Sequence, residues 1–238
     1  MQSYLFCGVI LPERAQLSQQ FELKFSHIAS STVGKARVSI LLNQVAVWIE
    51  TENEWDVFDL RNVVRSLIQN HLSMVGYLKG YAYDLEITRV LNRAHNVDYV
   101  FGIDIPCLAG RVSDDDLPIA LEKLQKKVIG EDGIFITRCL SDLISAMKHA
   151  DDTGFYCYRA LESLRHHCAI RYGMAGEKDA SQWEKFREIA QAGFDTLMEI
   201  KAAADPLRHG KLLAVSSDER AKLLSTTWTI VDSYLGSF

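Results

Sequence analysis

The spacing of apolar residues changes along this chain, and that change limits the folds open to it. Phe21, Leu23 and Phe25 alternate with Glu22, Lys24 and Ser26, the period of two that a half-buried strand requires, over Gln20–Ile28. Ser3–Leu11 is an apolar run of strand length. Ala36–Leu42 and Val45–Glu50 flank Asn43-Gln44, which predicts a hairpin turn. Tyr81, Tyr83, Leu85, Ile87 and Arg89 share one face of a further strand, and Tyr99–Ile105 reads as a short last one. Between these strands, Val57, Leu60, Val64, Leu67, Ile68, Leu72 and Val75 recur mostly at steps of three and four. That spacing predicts an amphipathic helix over Asp56–Leu78, capped by Asp56 and ended by Gly76 and Gly80. A helix laid on a mostly antiparallel sheet is the expected arrangement.

Beyond Gly110–Asp116, with its three consecutive aspartates, the strand period does not return. The expected fold class is α+β: an α+β domain at 1–110 and an all-α helical bundle at 114–238. Helices are predicted at Leu117–Val128, Ile134–His149, Gly154–Tyr172, Ser181–Ala204 and Ser217–Leu235. The third carries Tyr158, Leu161, Leu164, Cys168 and Tyr172 on its apolar side. The fourth carries Trp183, Phe186, Ala190, Phe194 and Leu197. Burial of apolar area contributes ~25 cal/mol per Å², so each stripe needs a partner helix. Ser216 and Glu219 have the spacing of a capping box for the last helix.

Charge and cysteine usage narrow the function classes. The formal net charge of −5 does not advertise a nucleic-acid binder, although Lys123, Lys126 and Lys127 form one local basic patch and Arg159, Arg165 and Arg171 another. No apolar run approaches the ~18 residues of a membrane span, and the apolar N-terminus has no charged region before it, so it reads as a strand. The five cysteines (Cys7, Cys107, Cys139, Cys157 and Cys168) are scattered and form no CxxC pair. Reduced thiols in a cytoplasmic protein are expected, with no metal site and no cofactor. P-loop, dinucleotide-binding, HExxH and GxSxG motifs are absent from the sequence.

Two polar clusters in the helical part are the candidate site. The first is Arg159, Glu162, Arg165, His166 and His167, in which Arg159, Glu162 and His166 share one helical face. The second is Asp205-Pro206-Leu207-Arg208-His209-Gly210, expected in the break between the last two helices. On the functional reading, a histidine moves a proton near neutral pH and an arginine holds a phosphoryl oxygen. The competing reading of such residues is a solvated helix face and a helix-end turn. His209, Arg208, His166, Arg159 and Glu162 are the candidate catalytic residues.

The segment Tyr156-Cys-Tyr-Arg-Ala-Leu-Glu-Ser-Leu-Arg165, the Trp183 helix after it and Leu207-Arg-His-Gly210 together resemble HEPN-type helical domains, over roughly 140–238. The resemblance implies a helical bundle, often dimeric, of a kind that includes many metal-independent ribonucleases of defence, toxin and RNA-processing systems. It implies RNA as a partner and a homodimer formed through the helical domain. The hallmark of that family is an arginine, four to six intervening residues and a histidine. Counting back from His209, those positions hold Ala202, Ala203 and Ala204, so cleavage is left open. Arg159 and His166 have the hallmark spacing, but in an earlier helix than the family uses. The alternative is a non-enzymatic interaction module, with a protein partner on the N-terminal sheet domain and the helical domain as dimer interface.

Overall fold

The computed structural model describes residues 1–27, 32–102, 105–211 and 215–238. Ile28 of the second expected strand and positions 103–104 of the last lie outside the described residues. Contacts divide the chain into two compact units, Met1–Ile103 and Asp104–Phe238.

The first unit is a six-stranded sheet with one long helix. Strands β1 (Gln2–Leu11), β2 (Gln19–His27), β3 (Thr32–Leu41), β4 (Gln44–Thr51), β5 (Asp84–Asn92) and β6 (Val97–Val100) lie in the order β2-β3-β4-β1-β5-β6. Every pairing is antiparallel. Helix α1 (Val57–Lys79) turns Leu60, Val64, Ile68 and Leu72 into the core, where Phe6, Ile10, Val47, Ile49, Leu85 and Ile87 are also buried. Asp56 caps α1 by accepting from the main-chain N–H groups of Phe58 and Asp59.

Three local expectations are corrected in this unit. The β3–β4 turn is Leu42-Asn43, both at positive φ, and not Asn43-Gln44, because Leu41 pairs with Gln44. Asn43 is 2% exposed. Its side chain accepts from the Leu17 N–H and donates to the Pro12 and Glu13 carbonyls, which selects that turn. Gly76 does not end α1; it lies inside the helix, where a Cβ would stand 2.4 Å from the Tyr81 carbonyl oxygen. Gly80 ends the helix, at φ 68°. Arg89 does not share the buried face. A register shift where β1 meets β5 puts Val90 inward and leaves Arg89 outside, paired with Asp98.

The second unit is a bundle of α2 (Leu117–Lys127), α3 (Gly133–Lys148), α4 (Thr153–Arg171), α5 (Asp179–Ala190), α6 (Phe194–Arg208) and α7 (Ser217–Gly236). The expected fourth helix is therefore two. Gln191 adopts φ 52°, and α6 restarts at Phe194. The break turns Phe194 out to 58% exposure, whereas Phe186 and Leu197 stay in the core. Tyr172 likewise falls at the end of α4 and is exposed. The Ser216–Glu219 capping box starts α7. Among the described residues, no helix is long and apolar enough to cross a membrane.

Candidate functional site

Helix α4 is the axis of the candidate site. It packs against α3, α5, α6 and α7. Twelve of its nineteen residues are buried, so its polar residues cannot all lie on one solvated face. Arg165 is 5% exposed and His167 2%, against the solvated reading; His166 is exposed, and Glu162 is half-buried. Arg159, Glu162 and His166 form the less buried face of α4, whereas Arg165 and His167 lie inside the bundle, where each buried polar group needs a partner.

Arg159 is held by α3. Its Nε lies 3.0 Å from both carboxylate oxygens of Asp142, and its Nη2 also bonds Oδ1. The Asp142 carboxylate is nearly enclosed, with its side chain 8% exposed, whereas that of Arg159 is 42% exposed. The Phe155 and Tyr156 rings flank the guanidinium, each 5.0 Å away. This carboxylate holds the Arg159 pKa above its ordinary value.

The end of α6 meets α4 at Tyr158. Gly154 allows the approach, since a Cβ there would stand 2.8 Å from the Ala203 carbonyl oxygen. One turn further along both helices, the Arg208 guanidinium lies 5.6 Å from the Tyr158 ring. Tyr158 stacks on Trp183 of α5 at 5.8 Å, and Arg165 lies 5.4 Å from the other ring of that pair. The result is a layered series from Arg208 through Tyr158 and Trp183 to Arg165. Arg165 bonds Gln182 Oε1 at 3.0 Å and Asp179 Oδ1 at 2.7 Å, and its Nη2 lies 3.0 Å from His166 Nε2. Burial, then Arg165, lowers the His166 pKa, which keeps the ring neutral and able to accept that bond. Burial, then Glu162, raises the Tyr158 pKa, and Arg208 and Asp205 also act on that phenol.

The polar segment 205–210 is not wholly a break. Asp205–Arg208 form the last turn of α6, with Pro206 inside the helix, and only His209 and Gly210 lie beyond it. Asp205 and Pro206 therefore belong to the end of α6 and not to a break. Arg208 pairs with its acidic neighbour Asp205 at 3.6 Å, as a helix-end turn would have it, and its side chain is 41% exposed. The main-chain N–H of His209 caps α6 on the Asp205 and Pro206 carbonyls. Its imidazole is exposed and has no hydrogen-bond or ion-pair partner among the described residues. Arg208, Glu162 and Arg165–His166 are thus gathered around Tyr158 and Trp183, while Arg159 is tied to Asp142.

Residues 4–101 match the family profile described as the N-terminal domain of a domain of unknown function, DUF8168, and residues 121–238 match its C-terminal domain. The chain carries both DUF8168 domains, in order. No curated protein and no solved structure matches it. The constellation around Tyr158 lies wholly within the DUF8168 C-terminal domain.

Tyr158 and Trp183 were legible in the sequence only as members of apolar stripes, and Asp142 carried no signal at all. The buried thiols of the same domain are not poised for nucleophilic chemistry. Burial pushes Cys157 up to about 11 and raises Cys139 and Cys168 as well. Among the described residues, no group of three His, Cys, Asp or Glu side chains converges as a metal site would require.

Proposed function

We infer that the DUF8168 C-terminal domain acts on RNA, through the surface where the end of α6 meets α4. The observation that carries this reading is the placement of Arg208, 5.6 Å from the Tyr158 ring, on whose phenol the half-buried Glu162 also acts, followed by His209, whose imidazole has no partner among the described residues. Arg208 supplies a planar fork of donors for a phosphate oxygen. The aromatic pair Tyr158–Trp183 stiffens the surface beneath it. Imidazole is the side chain most used for general acid–base work, which assigns that role to His209, with the Glu162 carboxylate as a second proton acceptor. Those groups suit attack of a ribose 2′-OH on the adjacent phosphorus. The base takes the 2′-OH proton, the bond from phosphorus to the 5′-oxygen breaks, and the acid returns a proton to that oxygen. Arg159, bound to Asp142, serves in this reading as a brace for α3 against α4. A homodimer formed through the helical domain belongs to the same reading.

The test is incubation of the purified full chain with single-stranded RNA, with and without a chelator. Cleavage in chelator is expected, and His209→Ala and Arg208→Ala each slow it by about 10²-fold or more. Equal cleavage by His209→Ala removes that residue from the proposal. Absence of both binding and cleavage removes RNA.

A second reading, a protein-interaction module, is favoured by the open face of the N-terminal sheet. There Trp48 is 43% exposed in a shallow cavity with Phe21 and Arg37, a side chain that binding interfaces use readily. The alanines at 202–204 favour it too.

A further inference from the structure

One basic patch of the sequence and a single arginine of the other meet in space, away from Tyr158. Lys123, Lys126 and Lys127 from the last turns of α2 and Arg171 from the end of α4 line one cavity of ≈ 520 Å³. Among the side chains in the same lining, Lys123, Lys126, Lys127 and Arg171 are cationic and Asp132 is acidic. Lys126 is also paired with Glu122, at 2.7 Å, so it is partly neutralised. The Phe238 ring stands between two of the cations, 4.4 Å from Lys127 Nζ and 4.2 Å from the Arg171 guanidinium. Lys127 Nζ also donates to a main-chain oxygen of Phe238, so that ammonium is already engaged. Like charges gathered on one ring repel, and a bound anion would offset that repulsion.

His167 forms the floor of this cavity. It is 2% exposed, and its ring stacks on Phe238 at 5.5 Å. Its Nδ1 lies 2.6 Å from the Tyr234 hydroxyl. Tyr234 is fully buried, which raises its pKa and keeps the hydroxyl proton in place. Where that hydroxyl donates to Nδ1, the ring proton resides on Nε2, and this tautomer is part of the proposal below. Asp132 Oδ2 lies 3.6 Å from Nε2, on the cavity side and too far for a strong bond. A directed N–H donor at the floor and mobile ammonium and guanidinium donors at the walls are the components of an oxyanion pocket.

We propose that this cavity is a binding site for a phosphomonoester dianion, with Arg171 and Lys123 at its walls and His167 Nε2–H at its floor. Three oxygens of a phosphomonoester match donors converging from α2 and α4 better than a carboxylate does. The site is independent of the RNA surface at Arg208, and each can fail without the other.

The test is a titration of the full chain with inorganic phosphate, followed through the imidazole ¹⁵N and ¹H signals of His167. Saturable shifts of that ring are expected. Arg171→Ala should weaken binding about tenfold or more, the loss of one charge-assisted hydrogen bond. Lys222→Ala, whose ammonium pairs with Glu199, should leave it unchanged. Lys123→Glu, at an exposed position of α2, repeats the test if Arg171→Ala fails to fold. A second arm compares an oligoribonucleotide bearing a 5′-phosphate with its 5′-hydroxyl twin. Preference for the phosphorylated end, competed by inorganic phosphate, assigns the phosphate to an RNA terminus. Equal affinity for the two, with phosphate still binding, assigns it to a small molecule. Unmoved His167 signals, or variants that bind phosphate as tightly as the parent, overturn the proposal.

Discussion

Replacing Arg159 with alanine separates a structural role from a catalytic one. The substitution leaves the Asp142 carboxylate, whose side chain is 8% exposed, without the contacts made by Arg159 Nε and Nη2. A nearly buried carboxylate stripped of its cation destabilises a domain by about 2–4 kcal/mol, the lower end applying because the Arg159 side is partly wet. For a unit of this size that corresponds to a fall in Tm of about 6–12 °C. The reverse deletion, Asp142→Ala, is expected to cost only about 1 kcal/mol, since Arg159 can turn into water. The double variant should resemble Asp142→Ala rather than the sum, with a coupling of about 2–4 kcal/mol. Urea unfolding followed at 222 nm, where the helical unit dominates the signal, measures all four proteins. If Arg159→Ala proves no more destabilising than Asp142→Ala, the brace is not what holds these helices. If it leaves stability intact and abolishes RNA cleavage, Arg159 belongs to the catalytic machinery.

Two further predictions follow from partners in the structure. Asn43→Ala removes the acceptor for the Leu17 N–H and the donors to the Pro12 and Glu13 carbonyls, and should destabilise the first unit by about 2–4 kcal/mol in urea unfolding; a loss below about 0.5 kcal/mol contradicts the assignment. Burial lowers the pKa of His71, His166 and His167 from 6.5, so as pH falls the unfolded chain takes up their protons first. Stability should therefore be level above about pH 6.5 and decline below it, through the depressed folded values. His167→Gln, compared with its own value at pH 7.5, should show a shallower decline, and an unchanged slope would exclude His167 as a source.

The sheet and most helix spans were legible because local periodicity reports them directly. Alternation at Phe21, Leu23 and Phe25 and the stripe from Leu60 to Leu72 each describe a face, and a face is a property of neighbouring residues. The capping box at Ser216 and the Asp56 cap were legible for the same reason. Misreadings occurred where distant atoms decide a local shape. Asn43 enters the turn because Leu17, Pro12 and Glu13 use its side chain. Gly76 stays helical because the Tyr81 carbonyl passes over it. The α5–α6 break turns on a left-handed Gln191, a residue type that carries no breaker signal, and Gly193 caps the restart.

The firmest inference available from residues alone was an α+β chain whose later part is all helix, since burying apolar stripes leaves few other solutions. Tertiary structure alone decided which polar residues meet. The sequence placed Arg159 on the same face as Glu162 and His166, yet α3 claims it through Asp142. It kept Lys123 and Arg171 in separate patches, which the packing of the bundle brings to one cavity. Charge pairing depends on distance through space, and in a bundle that distance is set by which helices pack together, a quantity that spacing along the chain does not contain.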